Sequence, residues 1–367
     1  MTPGGATRKE PRPKVRSRKG GAAVPLDDAD KQLMNLLQSS FALDPEPFAV
    51  LSREAGMPVS EVKERTQRLL DERIIREITP IFDTRALGYE SMLVAAKVDS
   101  ENPHRAAKII NSHPGVSHNY LRTHEFNLWF TIATPPDSAL GLEGTLEVLQ
   151  RETGAESIRQ LPTLTLFKIN MNLEMEQGTA ALASAVEAQP PRELDRQPYD
   201  DTDIAVIRAL QGPMAVTARP YDRAAAEVGM ATDALLGHLK GMVDRKLLRR
   251  VAAILYHRRA GFSANGMGVW RVPEDRIAEV GARMAAVRGI SHCYQRPTYA
   301  DWPYSVFTMA HGRSTEECDA ILDGIATEHG LHDDDRAVLY SSTEFKKVRL
   351  HYFTDDYADW EREHAGA

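Results

Sequence analysis

Two short stretches set an imidazole, a phenol and a guanidinium at alternate positions: His118-Asn119-Tyr120-Leu121-Arg122 and His292-Cys293-Tyr294-Gln295-Arg296. On an extended strand, side chains two residues apart share one face at about 7 Å spacing, so each stretch presents His, Tyr and Arg in line. Imidazole titrates near neutral pH and can give or take a proton. Guanidinium stays charged, and its planar fork grips a carboxylate through two parallel hydrogen bonds. A row of this kind therefore suits acid–base chemistry on an anionic ligand. One such row alone reads as a solvated sheet surface; its return elsewhere in the chain favours function.

The two rows are copies. His113-Pro-Gly-Val-Ser-His-Asn-Tyr-Leu-Arg122 returns as Arg288-Gly-Ile-Ser-His-Cys-Tyr-Gln-Arg296, and upstream the halves run in register at a shift of 173. Asp30 falls on Asp203, Gly56-Met57 on Gly229-Met230, Arg76 on Arg249, Arg85 on Arg258 and Gly88 on Gly261. The shift is 174 at His118 and His292 and 178 at Phe167-Lys168 against Phe345-Lys346. A unit this long is a duplicated domain, since solenoid repeats are shorter.

Each copy must carry its row on a strand inside a larger fold. Copy one opens with Leu33, Leu36 and Leu37 at helical spacing, then Phe48, Val50, Leu51 and Ala55, a turn at Gly56-Met57-Pro58, and a capping-box start at Ser60. Copy two repeats this through Ile204, Val206, Ile207 and Leu210, then residues 224–228, Gly229 and a helix from Thr232. That is a helix-turn-helix pattern, and the apolar runs 74–82 and 247–255 resemble a wing. Behind it, strands are expected near 91–98, 116–122, 127–133 and 161–169, with helices over 103–112 and 139–153. In copy two, strands fall near 264–272, 290–296, 306–310 and 337–341, with helices over 274–287 and 315–329. The order βαββαβ is ferredoxin-like. The fold class is α+β, two tandem copies of a winged helix-turn-helix plus a ferredoxin-like domain. Residues 1–25 read as a disordered basic tail, 26–85 and 202–258 as helix-turn-helix units, 86–176 and 259–355 as ferredoxin-like domains, and 177–201 as a linker.

Composition bounds the function classes. The 367 residues are 42% hydrophobic and 26% charged, ordinary for a soluble globular protein. No apolar run reaches membrane-spanning length, and the basic N-terminus lacks the apolar stretch of a secretory signal. Cys293 and Cys318 are too few for a disulfide framework or a zinc site and fit a cytoplasmic protein. The tail carries Arg8, Lys9, Arg12, Lys14, Arg16, Arg18 and Lys19 against Glu10, while the whole chain is at −7, so the folded body is acidic. DNA is not an expected partner, because affinity for it rests on cations facing phosphates. The candidate recognition helices are balanced: Lys63, Arg65, Arg68 and Arg73 against Glu61, Glu64, Asp71 and Glu72 in copy one.

A winged helix-turn-helix followed by a βαββαβ domain resembles the Lrp/AsnC regulators. The stretches His113–Thr131, Arg249–Asn265 and Ser291–Tyr304 are similar to those of a specialised branch, the siroheme decarboxylases, over residues about 27–355. In that family two related subunits act together, and this chain resembles both fused head to tail. The resemblance implies removal of CO2 from the C12 and C18 acetates of siroheme to give 12,18-didecarboxysiroheme, for heme d1 or an alternative heme b route. It implies no cofactor beyond the iron of the siroheme substrate. The implied partners are siroheme and didecarboxysiroheme, and a homo-oligomer or related decarboxylase subunits, with no membrane.

On that basis His118 and His292 are expected as general acid–base residues, with ligation of the substrate iron by one of them as the alternative. Arg122, Arg296, Arg85 and Arg258 are expected to hold carboxylates, with His257, Arg259, Tyr120, Tyr294, His124 and Trp302 lining the pocket. Trp129, Trp270 and Trp302 are candidates for stacking on the macrocycle, Trp129 being read more readily as core. His113, His238, His311, His329, His332, His351 and His364 are read as structural. Copy two alone has His257-Arg258-Arg259 and the segment 297–303, and copy one alone has His124, so the halves are unequal. The competing readings are a DNA-binding regulator and a heme-binding sensor on the same scaffold.

Overall fold

The computed structural model describes residues 26–39, 41–169, 196–256, 264–312 and 314–364. The basic tail, most of the linker, and His257, Arg258 and Arg259 lie outside the described residues. In copy one, α1 (Asp28–Ser39), α2 (Pro47–Ala55) and α3 (Val59–Asp71) form the helix-turn-helix. Gly56 closes α2 at φ 65°, a left-handed turn that glycine adopts without steric cost. The capping box expected at Ser60 does not form: α3 starts at Val59 behind Pro58, which offers no side-chain acceptor, and Ser60 lies inside the first turn.

The wing is also revised. Strand β1 (Ile75–Phe82) has no hairpin partner in its own copy and pairs antiparallel with β7 (Leu248–Leu255) of the other. Each strand satisfies backbone groups its neighbour would otherwise leave open. The second set of helices, α6 (Asp201–Leu210), α7 (Asp222–Glu227) and α8 (Thr232–Asp244), joins the first around one core that includes Leu33, Phe48, Leu69, Val206, Tyr221 and Leu239.

The ferredoxin-like halves are joined just as closely. Copy one gives β2 (Glu90–Lys97), α4 (Pro103–Ser112), β3 (Val116–Arg122), β4 (Leu128–Thr134), α5 (Gly141–Thr153), β5 (Ser157–Gln160) and β6 (Thr165–Ile169). Copy two gives β8 (Ala264–Trp270), α9 (Ile277–Ala286), β9 (Ile290–Gln295), β10 (Val306–Gly312), α10 (Thr315–His329) and β11 (Arg336–Lys347). One nine-stranded sheet runs β5-β2-β4-β3-β11-β8-β10-β9-β6. The strand expected over 161–169 starts later, as β6, and crosses to the edge of β9, while β5, a short strand ahead of it that was not expected, pairs with β2. In copy two the same exchange uses one long strand, Arg336–Tyr340 of β11 pairing β8 and Ser341–Lys347 pairing β3. Each His-Tyr-Arg row is therefore flanked by a strand from the other copy.

Helices cover one face of each half, with separate cores under α4 and α5 and under α9 and α10. The helix-free faces share a third core in which Trp129 of copy one meets Phe307 and Trp302 of copy two. The turn before β3 is tight. A Cβ on Gly115 would lie 1.8 Å from the Ala133 carbonyl oxygen, so only glycine lets this turn lie against β4. Among the described residues no helix is long and apolar enough to cross a membrane.

The chain ends in α11 (Asp356–His364), which packs onto copy one. Trp360 joins the core under α4 and donates its Nε1–H to Ser112 Oγ at 3.0 Å. Its ring meets the edge of His113, 4.6 Å between centroids. His113 is 1% exposed and takes the Gly115 N–H on Nδ1 at 3.0 Å. Burial, with Lys346 and His364 nearby, pushes its pKa down to about 3. The unfolded chain binds this proton more tightly, so the stabilisation is complete above pH 6.5 and is lost as pH falls. At pH 4.5 the loss from His113 is about 2–3 kcal/mol. Thermal melts should show an acid limb below pH 6.5 that is shallower in His113→Leu; an unchanged limb would contradict the assignment.

Candidate active site

The two rows have matching geometry. His118 and Tyr120 rings lie 6.2 Å apart with planes at 29°, and His292 and Tyr294 lie 6.0 Å apart at the same angle. The next guanidinium continues each row: Arg122 sits 5.9 Å from the Tyr120 ring centre and 5.8 Å from Trp129, and Arg296 4.9 Å from Tyr294 and 5.5 Å from Phe307. Arg122 Nη1 donates to the Leu339 carbonyl at 3.2 Å, and Arg296 Nη1 donates to the Leu161 carbonyl. Both acceptors lie in or beside the strands exchanged between copies.

Among the described residues neither arginine has a carboxylate partner, and both Nε atoms are buried without an acceptor. Burial lowers each guanidinium pKa to about 10, while part of each residue stays accessible. The arginines are deep in the protein but not sealed. A buried cation without a counter-ion is costly.

The histidines are held by hydroxyls. His118 Nδ1 lies 3.0 Å from Ser117 Oγ and 3.4 Å from Thr131 Oγ1, and the two hydroxyls are 2.7 Å apart. His292 Nδ1 lies 2.6 Å from Ser291 Oγ. A bulge produces both contacts: pairing skips Ser117 between Val116 and His118, and skips Ser291 between Ile290 and His292. The extra residue turns the serine beside the imidazole instead of across the sheet. His118 is held at a pKa of about 4, chiefly by burial and then by Lys347 and Arg76. From sequence, His311 was read as structural and Arg76 noted only as a repeat of Arg249, while the serines, Thr131 and Lys347 were given no role. The repeated Ser-His dipeptide was the signal for the serines, and the Arg76–Arg249 repeat for Arg76.

Other expected lining residues sit elsewhere. Trp302 is 0% exposed, packed among His124, Phe126, Trp129 and Tyr304, so it has no face free for stacking. Trp129 and Trp270 are equally enclosed, and Trp270 donates to Thr308 Oγ1 at 2.9 Å on the helix side. His124 accepts the Phe126 N–H on Nδ1 at 3.0 Å and lies 5.3 Å from the Trp302 ring, fixing the turn beyond Arg122. Arg85 is exposed on the turn after β1, where its backbone N–H donates to Asp83.

The recognition helices have spent their arginines internally. Arg65 pairs with Asp27 at 2.8 Å, Asp30 at 2.9 Å and Glu61 at 2.8 Å, and Arg68 also reaches Asp30. In copy two Arg245 and His238 pair with Asp203 at 2.7 and 2.8 Å. Asp30 and Asp203 are equivalent positions, 1% and 0% exposed. An open groove of about 900 Å³ against α1 and α3 is lined by Asp27, Asp30, Glu61 and Glu64 with Arg65 and Arg68, a poor host for an anion.

Comparison with known proteins identifies the scaffold. The family described as AsnC-like ligand binding domain matches residues 86–168 and 259–346, and the Siroheme decarboxylase NirDL-like HTH domain matches 30–76 and 203–249. The siroheme decarboxylase of Hydrogenobacter thermophilus is 37% identical over 90% of this chain and 97% of its own length. The chain belongs to the siroheme decarboxylase family. Siroheme decarboxylases also exist as half-length subunits: the beta subunit of Methanosarcina barkeri is 37% identical over 41% of this chain and 99% of that subunit. A crystal structure of the siroheme decarboxylase NirDL with an iron-uroporphyrin III analogue is 32% identical, with a TM-score of 0.74 over 92% of this chain and 99% of that one.

Proposed function

We propose that the chain decarboxylates siroheme, releasing CO2 from the C12 and C18 acetates to give 12,18-didecarboxysiroheme for heme d1 or alternative heme b formation. The observation that carries this reading is the pair of deep guanidiniums, Arg122 and Arg296, each ending a His-Tyr row and each without a carboxylate partner among the described residues. A macrocycle rimmed with carboxylates supplies the counter-ions. The NirDL structure with an iron-uroporphyrin III analogue supports a ligand of this class.

The chemistry follows from the rows. Loss of CO2 leaves an electron pair on the methylene carbon, delocalised into the ring, and one proton converts that carbon to a methyl group. His118 and His292 are the proton donors in this reading. An arginine clamped on the departing carboxylate would favour the ground state, so Arg122 and Arg296 serve best on carboxylates that stay. Arg76 and Lys347 extend the cationic lining at His118. Arg85, with Arg258, Arg259 and His257, is assigned to outer carboxylates, and the phenols of Tyr120 and Tyr294 to the ring edge. The substrate's own iron is the only metal this chemistry uses. The free, buried thiols of Cys293 and Cys318 fit a reducing cytoplasm.

Anaerobic incubation of the chain with siroheme, followed by mass analysis, should show loss of two CO2. Binding without any change of mass would replace the enzyme by a carrier or sensor. Retardation of DNA at low salt, with no turnover, would replace it by a regulator.

A further inference from the structure

The two histidines have different surroundings behind them. Register places His118 opposite Thr131 and His292 opposite Met309, so the next same-face position on β4 is Ala133 and on β10 is His311. In copy two, Ser291 Oγ lies 2.6 Å from His292 Nδ1 and 2.6 Å from His311 Nε2. Ser291 itself is buried, at 3% exposure, while His311 keeps part of its surface accessible. The result is a continuous line of titratable and hydroxyl groups from solvent to the imidazole. Copy one ends its line at the Ser117 and Thr131 hydroxyls, which cannot store a proton.

We propose that His311 is a relay residue that delivers solvent protons through the Ser291 hydroxyl to His292. This rests on the reading of His292 as proton donor and adds the source of its proton. In the step, the bond from the methylene carbon to the carboxylate breaks, CO2 leaves, and the electron pair stays on carbon. The Nε2 proton of His292 moves to that carbon as Nδ1 takes the Ser291 hydroxyl proton. Ser291 in turn takes the Nε2 proton of protonated His311, and solvent recharges His311. One solvent proton is consumed for each CO2 released. The His292 tautomer resets when product leaves, its Nε2 taking a proton from water as Nδ1 gives one back to water, so no further proton is consumed.

The test follows the two losses of CO2 separately by mass in wild type, His292→Ala, His311→Gln and His311→Ala. Whichever loss His292→Ala slows, His311→Gln should slow by at least about tenfold in kcat, with KM unchanged and an altered solvent deuterium effect. Free imidazole should restore His311→Ala and not His311→Gln. If His292→Ala slows a step that both His311 variants perform at wild-type rate, the relay is wrong while the donor assignment stands. If His292→Ala slows neither step, the donor assignment itself fails. A kcat loss in both His311 variants that imidazole leaves untouched would mark His311 as structural and overturn the relay.

Discussion

Replacing Arg122 with methionine should leave the empty protein at least as stable as wild type while weakening tetrapyrrole binding on the order of 100-fold or more. Most arginine truncations destabilise because they break a pair, but Arg122 has no carboxylate partner among the described residues. It has one carbonyl contact at 3.2 Å, two ring faces near 6 Å and a buried Nε with no acceptor among the described residues. Exchange of a buried charge for an apolar side chain of similar volume is often neutral or stabilising by about 1–4 kcal/mol. The bound state reverses the sign, because a carboxylate then stays desolvated without its cation. Arg296→Met should behave alike, its setting being the same down to the donated carbonyl contact. Arg122→Lys should fall between, since it keeps the charge and loses the fork. Melting temperature and titration with a porphyrin carboxylate measure the two halves. Loss of stability together with unchanged binding would show that the arginine is a structural element and not a ligand.

The pattern of residues revealed the strands that carry the rows, since period-two alternation over 118–122 fixes the face, whereas the bulge turns Val116 to the helix side. The exchange of β6 and β11 between halves was not legible. Alternation over 161–169 says that a strand exists, but the choice between the β2 and β9 edges depends on distant partners. The bulge at Ser117 and Ser291 was hidden for the same reason, because an extra residue appears only against the strand it faces. Trp302 misled for a different cause. Its composition suits stacking on a ring, yet the segment around it folds inward, where Trp129 and Phe126 already supply ring partners. The acidic positions Asp30 and Asp203 stood out as a repeated pair, and their role as anchors for Arg65, Arg68 and Arg245 explains how a regulator-like scaffold has spent its recognition-helix arginines internally.

Substituting His118 by alanine or glutamine should cost about 10²- to 10⁴-fold in the CO2 loss it serves, and the reason bears on how the site switches on. In the empty protein this imidazole is held near pKa 4 by burial, Lys347 and Arg76, so at neutral pH it carries no charge. The same two cations favour a polycarboxylate beside it. Once carboxylates neutralise them, the Coulombic part of the penalty on the imidazolium is removed, burial remaining, and the proton affinity of His118 rises. Substrate thereby creates the acid that acts on it at His118, which is uncharged in the ligand-free protein. Imidazole NMR should show His118 neutral at pH 6 without ligand and titrating at clearly higher pH when a metal-free porphyrin carboxylate is bound. Replacing Lys347 and Arg76 by glutamine should raise the pKa in the empty protein and shrink the shift on binding. A bound-state pKa that stays near 4 would leave His118 unable to act as an imidazolium, and its part in the reaction would then be to orient the acetate.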